Sequence, residues 1–165
     1  MSIATIGVYG WTLERFLAAL RAAEVRVVLD VRQRRGVRGP EYAWANSLRL
    51  QAALESSGVD YRHHKELAPT TGLRQLQYDA DARQGVGKRS RERLAPEYRD
   101  RYLREILDRV DLGELVRGLP DNGLAALLCV ERDPGACHRS LIAERLEADY
   151  GVSVVHLLAP RGQPT

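Results

Sequence analysis

The segment CVERDPGACHR, residues 129–139, concentrates two thiols, two carboxylates, an imidazole and two guanidiniums within one short stretch. Asp133-Pro134-Gly135 is a turn signal with a mechanism: proline presets φ, glycine accepts unusual backbone angles, and aspartate bonds to its own backbone. The apolar spacing after it predicts a helix from about Cys137 to Tyr150. A thiol at a helix start meets unpaired N–H groups and the positive end of the helix dipole, which favour the thiolate. Cys137 is therefore a candidate nucleophile, with Glu131 or His138 as acid or base. The same helix end also suits a phosphate, with Arg139 as a forked donor. Bland readings stand beside these: Cys137 as an inert helix-start residue, His138 as a core histidine beside Leu141 and Ile142, and Glu131 paired with Arg139. Cys129, inside an apolar strand, reads as a small packing residue.

Zinc is weighed and set aside. Cys129, Cys137, His138 and His156 are suitable ligand types, but the C-x7-C-H spacing matches no compact zinc motif. The expectation is no metal and no cofactor. Further candidates come from the ends of other predicted strands. Asp30 and Arg32 close the second, where an acid can hold a ribose hydroxyl, although an ion pair between them serves equally. The first turn reads Gly7-Val8-Tyr9-Gly10 and not G-x-G-x-x-G, so a dinucleotide site is not supported. His63 and His64 follow the third strand. Tyr9, Trp11, Tyr42, Trp44 and Tyr61 offer stacking surfaces or ordinary packing.

These residues need a scaffold, and hydrophobic periodicity supplies it. Strands are expected over 3–8, 25–31, 59–63, 124–130 and 152–158, alternating with helices that start after Thr12, near Asn46, at Pro96 and near Cys137, with a further short one capped by Asp111. LAALLCV, residues 124–130, is the most continuous apolar run, as a strand buried on both faces requires. Such alternation predicts one three-layer α/β/α domain over 1–160, with a mostly parallel, five-stranded Rossmann-like sheet; 3-2-1-4-5 is the expected strand order. Residues 64–95 show no clear periodicity and read as a long basic loop, and 161–165 as a disordered tail. In open α/β sheets ligands bind beyond the carboxyl ends of the strands. That rule gathers Tyr9, Asp30, Arg32, His63, Glu131 and Arg139 along one edge, together with the two cysteines and His138.

The chain has 165 residues, 44% apolar and 28% charged, which fits a globular domain and excludes collagen-like or low-complexity classes. Two cysteines make no disulfide framework, and the first residues read as a strand and not a signal peptide; the expectation is a cytoplasmic protein with reduced thiols and no membrane span. Its 25 basic residues include only two lysines, Lys65 and Lys88, an excess of arginine that reflects coding bias, so position carries the information. Residues 32–38 include Arg32, Arg34, Arg35 and Arg38 with no acid; residues 83–104 hold eight basic and three acidic side chains, a net of +5. These are either solvated faces or an electropositive rim for a nucleotide or nucleic acid.

Thr5-Ile6-Gly7, Asp30-Val31-Arg32, Tyr61 with Glu66-Leu67, and LLCVERDPGACHRSLIAERL together resemble domain-of-unknown-function family 488, the bacterial family of the YeaO-like proteins, over roughly Ile3 to Leu158. The resemblance implies that Asp30, Arg32, Cys129, Glu131, Asp133, Cys137, His138 and Arg139 are signature positions; it implies no particular reaction. Two stretches depart from the family pattern: Leu67-Ala68-Pro69 where members often carry Leu-Gly-Gly, and Gly7-Val8-Tyr9 where Gly-His-Ser is common. The resulting expectation is an enzyme acting on a phosphate-bearing substrate, nucleotide or nucleic acid, at a helix-start cysteine. The alternative is a non-catalytic phosphate- or nucleic-acid-binding module that uses the Arg-rich loops.

Overall fold

A computed structural model describes residues 1–161. Five parallel strands, β1 (Ser2–Ile6), β2 (Val25–Asp30), β3 (Asp60–His63), β4 (Leu124–Leu128) and β5 (Ser153–Leu157), form one sheet in the order β3-β2-β4-β1-β5. The expected α/β architecture is present, but β1 and β4 exchange places relative to the expected order. β4 takes the centre because every residue from Ala125 to Leu128 is apolar and fully buried. A bulge at Arg26 shifts the register between Val25 and Val27, so these residues, two apart, bury on opposite faces.

Helices cover both faces. Those named first are α1 (Leu13–Ala22) and α2 (Ser47–Ser56), which pack Phe16, Leu20, Leu50 and Leu54 against Ala4, Ile6, Val28 and Leu128. The Thr12 side chain caps α1 by accepting from the Arg15 N–H at 3.3 Å. On the other face lie α3 (Thr71–Gln84), α4 (Pro96–Glu105), α5 (Leu112–Arg117) and α6 (Arg139–Tyr150). They bury Leu73, Tyr98, Tyr102, Leu115, Leu141 and Ile142 against Ile3, Val27, Leu29 and Leu127. The connections after β1 and β2 leave toward the first face, and the one after β4 leaves toward the second. The β4 loop is thereby flanked on both sides by loops departing the opposite way, which opens a crevice at the carboxyl edge.

Two further expectations change. Residues 71–84 are helix α3, not part of a long loop; the helix hides its period because Gln77 and Asp81 occupy its buried stripe beside Leu73 and Ala80. α6 starts at Arg139 with His138 as its cap, so Cys137 precedes the helix in an extended conformation, φ −141°, ψ 147°. Of the expected tail, Arg161 lies 2.9 Å from Asp133, and 162–165 fall outside the described residues. Among the described residues no helix is long and apolar enough to cross a membrane.

Candidate functional site

The crevice is a pocket of about 770 Å³, a size ordinary for small-molecule sites. Its floor comes from the β4 loop. Alternation along the extended chain puts Cys129 and Glu131 on one side and Val130 on the other. A short 3-10 turn, Pro134–Ala136, then returns the chain so that Cys137 and His138 come back against Cys129. The Cys129 and Cys137 Sγ atoms lie 3.7 and 3.8 Å from His138 Nδ1, and all three atoms lie within 4.8 Å of one another. Cys129, Glu131 and His138 line the pocket, whereas Cys137 is 1% exposed and sits behind them.

His138 Nε2 is 2.7 Å from the Val31 carbonyl oxygen. A carbonyl only accepts, so Nε2 carries the hydrogen and Nδ1 presents its lone pair to both sulfurs. Burial pushes the Cys137 thiol up, but the Cys129 S–H, the neighbouring His138 and the Arg139 charge together hold it well below the usual thiol range. Burial and the adjacent Cys137 drive Cys129 well above that range. Glu131 is raised by burial and by Cys137, against the pull of Lys88 and Arg91.

Glu131 is held by Arg91, whose Nη2 donates to Oε1 at 2.7 Å; Cys129 Sγ lies 3.6 Å from the other carboxylate oxygen. Arg139 is fully buried and donates to the Glu131 and Arg132 carbonyl oxygens at 2.6 and 3.0 Å, and to Thr5 Oγ1 at 3.3 Å. Its fork is consumed in clasping the β4 loop. The β1 and β4 loops approach so closely that a Cβ at Gly7 would meet the Glu131 carbonyl oxygen at 1.9 Å.

Asp30 and Arg32 turn onto each other. Arg32 Nε and Nη2 donate to the two carboxylate oxygens at 2.9 Å each, Tyr61 donates to Oδ2 at 2.6 Å, and Arg32 Nη1 reaches the Ala45 carbonyl at 2.9 Å. Asp30 is wholly buried and positions the β2 loop; Arg32 also touches the pocket wall. Tyr9 lines the pocket, with the Arg89 guanidinium 5.2 Å from its ring. His63 does not join this site: it faces a second cavity of about 660 Å³ and pairs through Nε2 with the Arg32 carbonyl at 3.1 Å. Arg35 reaches the Tyr61 hydroxyl at 3.3 Å, while Arg34, Arg38, Arg74, Lys88 and Arg89 line the pocket.

Cys129, read chiefly as a packing residue, lines the pocket, as do Lys88, Arg91 and Gln77, for which the sequence carries no individual site reading; Asp81 stands behind them against Arg91. The C-x-E alternation was an available signal for Cys129, because i and i+2 share a strand face. For Arg91 and Lys88, inside an arginine-rich stretch, no such signal existed.

The fold and the pocket define an α/β protein with a cavity at the carboxyl edge of its sheet. The chain belongs to the family described as Domain of unknown function DUF488, which matches it over residues 12–146 and so includes the whole pocket floor. No curated protein and no solved structure matches the chain.

Proposed function

We propose that the protein is an enzyme acting on a phosphate-bearing substrate, a nucleotide or nucleic acid, with Cys129, His138 and Glu131 as its reactive floor and Cys137 behind them. The observation that carries this is the pairing of that floor with a wall of uncommitted positive charge. Seven basic side chains and one carboxylate, Glu131, line the pocket. Arg32, Arg89 and Arg91 spend their charge on Asp30, Glu41 and the Asp81–Glu131 pair. Among the described residues Arg34, Arg38, Arg74 and Lys88 have no carboxylate within 4.0 Å, so the wall faces the cavity with net positive charge suited to a phosphate. On their own, the floor groups supply thiol chemistry: His138 Nδ1 takes a thiol proton while its bond to Val31 holds the ring in place. The cations line a concave pocket, with Arg34 and Arg38 at its exposed rim, which favours an enzyme over a nucleic-acid-docking module.

Calorimetric titration of nucleoside 5′-phosphates against their parent nucleosides tests the reading. The expected result is binding that needs the phosphate, weakens with salt, and falls at least about tenfold in the Arg34→Ala/Arg38→Ala variant. Equal or absent binding of both ligand types overturns it.

A further inference from the structure

We propose that Cys129, Cys137 and His138 bind a zinc-type divalent cation whose fourth coordination position opens into the pocket beside Glu131. Three donor atoms from two separated pieces of chain converge here, and their spacing is that of a ligand set. A tetrahedral ion with bonds of about 2.3 Å to sulfur and about 2.0 Å to nitrogen holds its sulfur and nitrogen ligands about 3.5 Å apart. The observed sulfur–nitrogen separations are 3.7 and 3.8 Å and all three donor atoms lie within 4.8 Å of one another, so small side-chain movements draw them onto one ion. As hydrogen bonds those same separations are long, and none of the three groups is held firmly by another.

The outer contacts agree. A metal-bound histidine characteristically gives its second ring N–H to a carbonyl or carboxylate, which fixes the ring and sharpens the lone pair on the ligating nitrogen. His138 does this through Nε2 to Val31 at 2.7 Å, leaving Nδ1 aimed at the two sulfurs. Access also explains a feature that nucleophilic attack leaves without a reason: Cys137 is sealed behind the floor, where it cannot touch substrate yet can complete a coordination shell. Two thiolates and an imidazole are soft and borderline donors, the set chosen by Zn²⁺ and avoided by Mg²⁺ or Ca²⁺. Two thiolates also neutralise a divalent ion, so the buried centre adds no net charge beside Arg91 and Arg139.

Three protein ligands leave one position open, the arrangement of catalytic and not structural zinc. The open side faces the pocket because Cys129, His138 and Glu131 are its lining and Cys137 is not. Glu131, whose Oε2 lies 3.6 Å from Cys129 Sγ, would be the neighbouring proton acceptor for a water bound there; the cysteines would then be ligands and the bound water the reacting group. That role of the water rests on the proposed function; the binding of the ion does not.

The test loads chelator-treated whole chain with Co²⁺ and with Zn²⁺. One equivalent of Co²⁺ is expected to give thiolate-to-cobalt charge transfer with the intense visible bands of tetrahedral cobalt, and Zn²⁺ to bleach them. Cys129→Ser and His138→Ala are each expected to weaken binding by at least about tenfold. Should either variant misfold, the wild-type chain alone decides: Zn²⁺ is expected to shield both cysteines from alkylation and raise the melting temperature. A pale octahedral spectrum, or full alkylation in the presence of Zn²⁺, overturns the site. Titrating a nucleoside 5′-phosphate into metal-free and zinc-loaded protein separates the two readings, since a chain that binds zinc tightly but no phosphate sinks only the proposed function.

Discussion

Arg91 is buried between two carboxylates from different parts of the chain, Asp81 Oδ2 at 2.5 Å and Glu131 Oε1 at 2.7 Å, while its Nε donates to the Ala136 carbonyl at 3.2 Å. One guanidinium therefore joins α3, the segment before α4 and the β4 loop. Its removal strands two buried carboxylates, and stranding one member of a buried pair costs about 3–5 kcal/mol. Arg91→Ala is expected to lose stability on that scale in urea unfolding. Arg91→Lys is expected to recover little, because a point charge cannot serve three acceptors that a planar fork reaches together. A loss below about 1 kcal/mol, the level of an exposed pair, would show that the two carboxylates are neutral or solvated without it.

The same network shows where sequence patterning ends. The five strands, the Thr12 and Asp111 caps and the start of α4 at Pro96 were legible because each follows from local rules: apolar periodicity, side-chain caps and proline geometry. That β4 is buried on both faces was legible too, since Ala-Ala-Leu-Leu-Cys suits only a strand covered on both sides, but the expected order put β1 in the centre. Which of the two takes the centre is a matter of long-range pairing that no local rule fixes. α3 was hidden for a reason tied to the site. Gln77 donates to Asp81 at 2.8 Å and accepts from the Ala95 N–H at 2.8 Å, so polar residues fill the buried stripe where periodicity looks for apolar ones. Cys129 packs in the core as expected, and its place beside His138 was hidden for a similar reason. An apolar strand context argues for packing, and only the return of the chain after Pro134 brings His138 against the sulfur.

A pH dependence follows from the other end of the Arg139 clasp. Arg139 Nε donates to Thr5 Oγ1 at 3.3 Å, and that hydroxyl lies 2.6 Å from His156 Nδ1. With Arg139 donating, the Thr5 hydroxyl gives its own proton to Nδ1, and the chain of bonds needs a neutral imidazole. Burial and then the Arg139 charge lower the His156 pKa from its ordinary 6.5, against the opposing pull of Glu147 and Glu144. The unfolded chain thus takes up this proton at higher pH than the folded one. Stability from His156 is full above about 6.5 and drains away as pH falls through the window below it. Following the imidazole C–H signals by NMR should give a His156 midpoint under 6.5. His156→Gln should flatten the decline in melting temperature between pH 7 and pH 5. A midpoint at or above 6.5 rules this linkage out.

Arg89 ties the segment between α3 and α4 to the chain around Glu41. It donates to Glu41 Oε1 at 3.0 Å and to the Arg38 carbonyl at 3.1 Å, with its guanidinium 5.2 and 5.1 Å from the Tyr9 and Tyr42 ring centres. These contacts latch the 87–91 stretch, which lines the pocket, to the neighbouring 3-10 turn Pro40–Ala45. The ion pair is half-exposed and contributes little alone, but the two aromatic faces add to it. Its loss acts on a local opening and not on the whole domain. Arg89→Ala is therefore expected to speed amide exchange over residues 85–93 by about 5- to 30-fold while the urea midpoint holds. Arg89→Lys keeps the charge over the rings but loses the fork, and should fall between. If exchange and midpoint shift together, the segment opens only when the domain unfolds, and Arg89 is a packing residue with no part in admitting a ligand.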